Sequence, residues 1–232
     1  MMMISVATVQ FIATAAAAAA ALTLLLLIQA ASAGDPDMLQ DFCVADTSSG
    51  SAPLMNGFPC KARSLVTSQD FVFTTFREAA NYTVTNTGAI ATFATVAEYP
   101  AVNTQGISHV RLDFGVGGVI PLHTHPLASE TIFVVNGTIF TGFVSFDNVL
   151  YSQTLQVGDL FLFPKGLLHF QINVGDGPAV SFNTLTSQNP GIPFTANQMF
   201  ETQIPSAVLQ MSLGIGTQQI QSIQDAIPRY YG

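Results

Sequence analysis

From Thr92 onward the chain is a succession of short β-rich runs, each stopped early by a turn signal. Thr92 to Glu98 and Ile107 to Phe114 alternate apolar and polar residues. In the second run Ser108, Val110, Leu112 and Phe114 fall on one face, and His109, Arg111 and Asp113 on the other. A shorter apolar run, Phe71-Val72-Phe73, lies ahead of them. Thr131 to Val135 and Thr138 to Phe146 follow, joined by Asn136-Gly137, which predicts a type I′ hairpin. Leu150 to Leu155, Leu160 to Phe163, His169 to Val174 and Val180 to Thr186 continue the series. Gly158-Asp159, Gly175-Asp176 and Asn189-Pro190-Gly191 punctuate it. Many short strands between turns predict a mainly β domain, an antiparallel barrel or sandwich. The period then changes. Pro205 to Leu213 and Thr217 to Ile227 are Gln-rich, with Val208 and Met211, and Ile220, Ile223 and Ile227, at helical spacing. Helices this short bury little alone. They pack on their own barrel or against another subunit.

Composition narrows the class. A length of 232 residues fits one domain of ordinary to large size. Charged residues make up only 9%, which excludes a charge-rich disordered chain. With 14 acidic against 6 basic residues the net charge is -8, so the basic footprint of a nucleic-acid binder is missing. The first 33 residues carry no charged side chain. Phe11 to Ala31 is long enough to span a bilayer, which needs about 20 apolar residues. It ends in Ala31-Ser32-Ala33 before Gly34, an A-x-A cleavage signal, and has no Lys or Arg flank to stop transfer. Residues 1–33 therefore read as a cleaved signal peptide rather than an uncleaved anchor, leaving no membrane segment afterwards.

The cysteines fit secretion. Cys43 and Cys60 enclose 16 residues rich in Ser, Gly, Asn and Pro. An oxidising compartment would pair them and staple this loop; the alternative is two unrelated buried thiols. Asn81 and Asn136 begin N-x-Thr sequons and are glycosylation candidates. The second competes with the turn reading of Asn136-Gly137.

Three of the 4 histidines lie in two blocks framed by Gly and Pro. The first runs from Gly117 through His123, His125 and Glu130 to Gly137. The second runs from Gly158 through Pro164, Gly166 and His169 to Asn173. H-x-H on a strand sets both imidazoles on one face, about 7 Å apart along the backbone. Strict alternation would turn Glu130 away, but Pro126 and the short residues after it predict a bend that returns it. His169 would complete a set of three His and one carboxylate, leaving up to two positions of an octahedral ion open. Taken singly, each residue reads as a surface or core side chain; together they point to a metal. His109 lies outside the pattern and reads as a surface residue. No G-x-S-x-G is present, so nucleophilic catalysis is poorly supported.

These blocks resemble the two cupin motifs, G-x5-H-x-H-x4-E-x6-G and G-x5-P-x-G-x2-H-x3-N, at every fixed position. Leu39-Gln40-Asp41-Phe42-Cys43-Val44-Ala45-Asp46 and Ser187-Gln188-Asn189-Pro190-Gly191 are similar to shared stretches of plant germins and germin-like proteins. The resemblance implies a single jelly-roll β-barrel with C-terminal α-helices. It divides the chain into a 1–33 signal peptide, a 34–65 disulfide-stapled segment, a 66–194 barrel and a 195–232 helical extension. It implies one manganese per subunit on His123, His125, Glu130 and His169, with no separate catalytic residue. It also implies a Cys43–Cys60 disulfide, a glycosylated apoplastic or cell-wall protein, and a homohexamer built as a trimer of dimers. Family activities are superoxide dismutase and oxalate oxidase, and a defence role is commonly inferred. Oxalate-oxidising germins place two Asn beside the metal where this chain has Val110 and Ile120. Apolar residues offer no hydrogen bonds to a dicarboxylate. The expectation is thus a manganese protein acting on superoxide. The alternatives are an oxalate oxidase or a wall-binding defence protein whose metal is structural.

Overall fold

In a computed structural model describing residues 40–47 and 53–227, the turn-punctuated runs form two antiparallel sheets. Residues 1–39, where the signal peptide is expected, 48–52 and 228–232 lie outside the described residues. The strands are β1 (Ala89–Ala94), β2 (Ser108–Phe114), β3 (Val119–His123), β4 (Glu130–Asn136), β5 (Ile139–Val144), β6 (Leu150–Leu155), β7 (Leu160–Phe163), β8 (Leu168–Asn173) and β9 (Ala179–Leu185). One sheet has the order β1-β2-β9-β4-β7 and the other β3-β8-β5-β6. From β2 onward every connection except β5–β6 carries the chain from one sheet to the other. The architecture is the jelly-roll sandwich, with alternate residues of both sheets meeting in a shared core. Phe114, Ile132, Val134, Ile139, Phe163 and Leu185 are its buried centre.

The expected hairpin at Asn136-Gly137 does not form, because β4 and β5 belong to different sheets. The dipeptide is a corner instead. Gly137 adopts φ +80°, and a Cβ there would lie 2.5 Å from the Ala179 Cβ. Asn136 donates its Nδ2 to the Pro178 carbonyl at 2.7 Å. A hairpin would leave β4 and β5 in one layer; the corner lets Ile132 and Val134 of one sheet face Ile139 of the other. Local turn chemistry is the same in both cases, so tertiary burial decides.

Two other runs differ from the sequence reading. Phe71-Val72-Phe73 is not a strand: Ser68–Phe71 is a 3-10 turn. The Asp70 carboxylate accepts from the Thr67 amide at 2.7 Å and stabilises the turn over an extended chain. The run expected over Thr92 to Glu98 lies at Ala89–Ala94, and the Glu98 carboxylate closes a turn on Thr95 N at 3.1 Å. The outward row of β2 is also not open to water. Asp113 is buried, accepts two bonds from the Arg111 guanidinium at 2.7 and 2.9 Å, and accepts from Ala80 N at 3.1 Å.

Cys43 and Cys60 are disulfide-bonded. Beyond the sheets come α1 (Thr195–Phe200), α2 (Ser206–Leu213) and α3 (Thr217–Ala226). At six residues α1 is too short to show a period in the sequence. Phe200, Leu209 and Ile220 form a small core where the helices meet, with Ile223 and Ile227 against it. The stripe expected of Val208 and Met211 faces outward instead, and Met211 is 88% exposed. Among the described residues no helix is long and apolar enough to cross a membrane.

Candidate metal centre

The two histidine-bearing blocks meet across the four-stranded sheet. His123 ends β3 and sits directly opposite His169 on β8. Their ring centroids are 4.1 Å apart. His125 lies past the end of β3, so strand alternation does not aim it. The Asn189-Pro190-Gly191 stretch does. Leu127 N donates to the Pro190 carbonyl at 3.2 Å, and the Gly191 carbonyl lies 2.8 Å from His125 Nδ1. Gly191 takes φ +66°, a conformation that favours glycine. The ring of His125 is thereby brought to 5.0 Å from that of His123 and 5.1 Å from that of His169. Glu130 opens β4 after the expected bend and reaches the same point from the other sheet.

All four side chains are buried, and one donor atom from each lies within 4.8 Å of the others. Each imidazole is oriented by a backbone carbonyl: Pro121 O is 2.7 Å from His123 Nδ1, and Leu167 O is 2.8 Å from His169 Nδ1. Carbonyls only accept, so each Nδ1 carries the proton and each Nε2 presents a lone pair. The Nε2 atoms of His125 and His169 lie 2.9 and 3.1 Å from Glu130 Oε2. Lone pairs and a carboxylate converging at such distances repel one another unless a cation lies among them. The donor set therefore fits a divalent transition metal.

Electrostatics agrees. Burial, reinforced by His169, lowers the pKa of His123 from 6.5 to about 3, so its ring is neutral across the physiological range. Burial alone would raise the Glu130 pKa, but the His125 and His169 rings beside its carboxylate hold it below the usual carboxylate range. His123 and Glu130 are thus in the protonation states that ligation requires.

Several contributors were not foreseen. Asn183 on β9 donates its Nδ2 to Glu130 Oε1 at 2.6 Å and itself accepts from Ser181 Oγ at 2.8 Å. Phe163 stacks on His169 with centroids 4.5 Å apart. Gln171 follows His169 by two residues and is fully buried. The available signal was polar residues on the inward phase of β8 and β9. His109 stands apart, as read: it is half-buried, 3.1 Å from Thr184 Oγ1, and burial lowers its pKa.

A cavity of about 380 Å³ adjoins the cluster. Val110 and Ile120 both line it, together with Gln171 and Phe93. Asn81 is exposed, its Oδ1 accepting from the Thr83 hydroxyl at 2.7 Å; Asn136 is at the corner described above.

The sequence model of the cupin family matches residues 74–221. Germin-like protein 5-1 of Oryza sativa subsp. japonica is 43% identical over 199 residues, spanning 85% of this chain and 88% of that protein. Auxin-binding protein ABP20 of Prunus persica is 43% identical over 189 residues, 82% of this chain and 87% of its own. A solved oxalate oxidase structure superposes with a TM-score of 0.78 at 38% identity, covering 83% of this chain and 97% of that one.

Proposed function

The chain belongs to the germin-like proteins of the cupin family, and on that premise we propose that it is a secreted manganese protein that dismutes superoxide. The observation that supports this is the pairing of a buried three-His, one-Glu donor set with cavity walls at Val110 and Ile120 that offer no hydrogen bond. Manganese on His123, His125, Glu130 and His169, one per subunit, would supply one-electron chemistry between two oxidation states. Two superoxide ions and two protons give one dioxygen and one hydrogen peroxide. The protein's part is to orient three imidazoles through Pro121, Gly191 and Leu167 and to fix Glu130 through Asn183.

Oxalate oxidation, the activity of the structural neighbour, is disfavoured. A dicarboxylate would meet apolar side chains at Val110 and Ile120 instead of hydrogen-bond donors. The reading includes a 1–33 leader removed before secretion to the apoplast, a 34–65 stapled segment, a 66–194 barrel and a 195–232 extension. It includes a homohexamer, supported by the exposed Val208 and Met211 of α2, and a role in plant defence.

The test is elemental analysis of the purified secreted protein, then superoxide and oxalate assays on wild type and His169→Ala. Bound manganese with dismutation lost in His169→Ala is expected. Activity in a preparation without manganese would refute the mechanism. Stoichiometric hydrogen peroxide from oxalate would establish the oxidase instead, and manganese without either turnover would leave a structural metal in a wall-binding protein.

A further inference from the structure

Three of the four donors stand on strands: His123 on β3, Glu130 on β4 and His169 on β8. His125 does not. Gly166 N holds its carbonyl at 3.1 Å, but its ring direction is set by the Gly191 carbonyl. The stretch carrying Gly191 also lies past the end of a strand, because β9 closes at Leu185. The two stretches run side by side. Thr124 N donates to the Pro193 carbonyl at 3.3 Å, and Leu127 N to that of Pro190 at 3.2 Å. Whatever fixes the Gly191 stretch therefore also fixes the aim of His125.

Gln188 fixes it, three residues before Gly191. Its Oε1 accepts from Thr104 N, and its Nε2 donates to the Asn56 carbonyl at 3.1 Å. Its own carbonyl accepts from Val96 N at 3.0 Å. One residue thus ties both the β1–β2 connection and the Cys43–Cys60 segment to the stretch that aims His125. Only an amide can donate and accept at once from that position. Asn56 is placed by the staple in turn. It sits in a tight turn in which Leu54 N donates to the Gly57 carbonyl at 2.7 Å. Beside the turn, the fully buried Asn103 amide accepts from Phe58 N and donates to Phe58 O, both at 2.9 Å, and donates to Cys43 Sγ at 3.2 Å. The disulfide, the turn and Gln188 form one connected path of contacts to His125.

We propose that Gln188 is a positioning residue for the metal centre, through which the Cys43–Cys60 staple sets how tightly the site holds its ion. A dithiol reductant opens the staple by thiol–disulfide exchange. Two cysteine thiols form, and the dithiol is oxidised to its own disulfide. Cys60 is exposed to such a reagent. Opening frees Asn56, slackens Gln188 and lets the His125 ring swing. The proposal rests on the metal reading of the site and deepens it by making metal retention depend on the state of a disulfide.

The test is chelator competition for manganese(II) on the full secreted protein, after elemental analysis has shown manganese in the same sample. Gln188→Met keeps the length and loses both side-chain bonds; manganese is expected to bind about tenfold more weakly. Gln188→Glu keeps the acceptor for Thr104 N but cannot donate to Asn56, and is expected to lose affinity as well. Wild type reduced with dithiothreitol and desalted without oxygen should weaken by a factor similar to Gln188→Met. Reduction of Gln188→Met should add less than about twofold, because both changes cut the same path. Losses that multiply in full overturn the proposal. So does oxidised Gln188→Met with wild-type affinity, and that arm stands even where thermal melts show the reduced chain unfolded. Gly137→Ala, altered at the far end of β4 from Glu130, is the control for general loosening and should bind manganese as wild type does; an equal loss there overturns the positioning role. A protein without manganese sinks the metal reading. Hydrogen exchange at Leu127 N in chelator-treated protein then tests the path by itself: it should be faster in Gln188→Met, and unchanged exchange overturns the proposal.

Discussion

Asn183 Nδ2 donates to Glu130 Oε1 at 2.6 Å, while the other oxygen of the same carboxylate faces His125 and His169. The two residues lie on neighbouring strands of the five-stranded sheet, β9 and β4. The amide holds the carboxylate in the rotamer that points Oε2 at the histidines. Replacing Asn183 with Leu removes that restraint and leaves Oε1 buried without a donor. Partners of this kind typically account for about 10–100-fold in metal affinity. A loss of that size is expected for Asn183→Leu in chelator competition, with Asn183→Asp no substitute because it sets a second anion against Glu130. An unchanged affinity would show that the barrel alone orients Glu130.

Acid should destabilise the metal-stripped protein in a defined window. The unfolded chain protonates His123 near 6.5, whereas the folded chain resists until about 3. The unfolded state therefore binds more protons over that interval, and stability falls as pH drops through it. Glu130 acts in the same direction, because its folded pKa lies below the ordinary 4.5: its contribution is full above that value and lost as pH falls further. Thermal melts of chelator-treated protein are expected to be flat above pH 7 with respect to these groups and to decline from about pH 6.5 toward 4. A melting temperature that rises over that range would contradict the assignment. In the loaded protein, protons compete with metal for the same atoms, so metal release should follow the same direction.

The two sequons should differ in occupancy. Asn81 is exposed, and among the described residues only its Oδ1 is engaged, by Thr83 N at 3.1 Å and Thr83 Oγ1 at 2.7 Å. Its Nδ2, the atom a glycan joins, points to no protein acceptor in these contacts. Asn136 uses its Nδ2 to hold Pro178 at the sheet-to-sheet corner. Mass spectrometry of the secreted protein is expected to find glycan on Asn81 and none on Asn136. Asn81→Gln should remove the mass increment, and occupancy of Asn136 would refute the argument.

Gly137 should tolerate no side chain. An added Cβ would meet Ala179 Cβ at 2.5 Å and its Cα at 2.7 Å, and φ is +80°. Overpacking a core edge costs about 1–3 kcal/mol, and the left-handed backbone adds roughly 1–2 kcal/mol. Denaturant titration of Gly137→Ala is expected to show a loss of this order. Gly158→Ala, at a positive φ with open space around it, should lose only the backbone part. Equal losses at both sites would mean that the corner is not close-packed.

Much of this molecule is legible in its sequence. Period-2 alternation located β2 to within a residue, and Leu160 to Phe163 marked β7 outright. The two glycine-framed blocks named the four donors that the structure brings together. The misreadings share a cause. Asn136-Gly137 has the local chemistry of a hairpin, yet becomes a corner because Ile132, Val134 and Ile139 are buried only when β4 and β5 lie in facing sheets. Val208 and Met211 have helical spacing, yet Leu209 is the residue that α2 buries, because Phe200 and Ile220 set which face turns inward.

What the sequence by itself determined is whatever depends on near neighbours or on composition: strand phase, most turn positions, the chemistry of the ligands and the acidic net charge. What only the tertiary structure decided is whatever depends on residues distant in the chain. Asn183 reaches Glu130 across 53 positions, and Gly191 aims His125 across 66. Such pairs leave no periodicity. They come about because closing two sheets over one core brings strand ends together, and buried polar atoms there must find partners or a ligand.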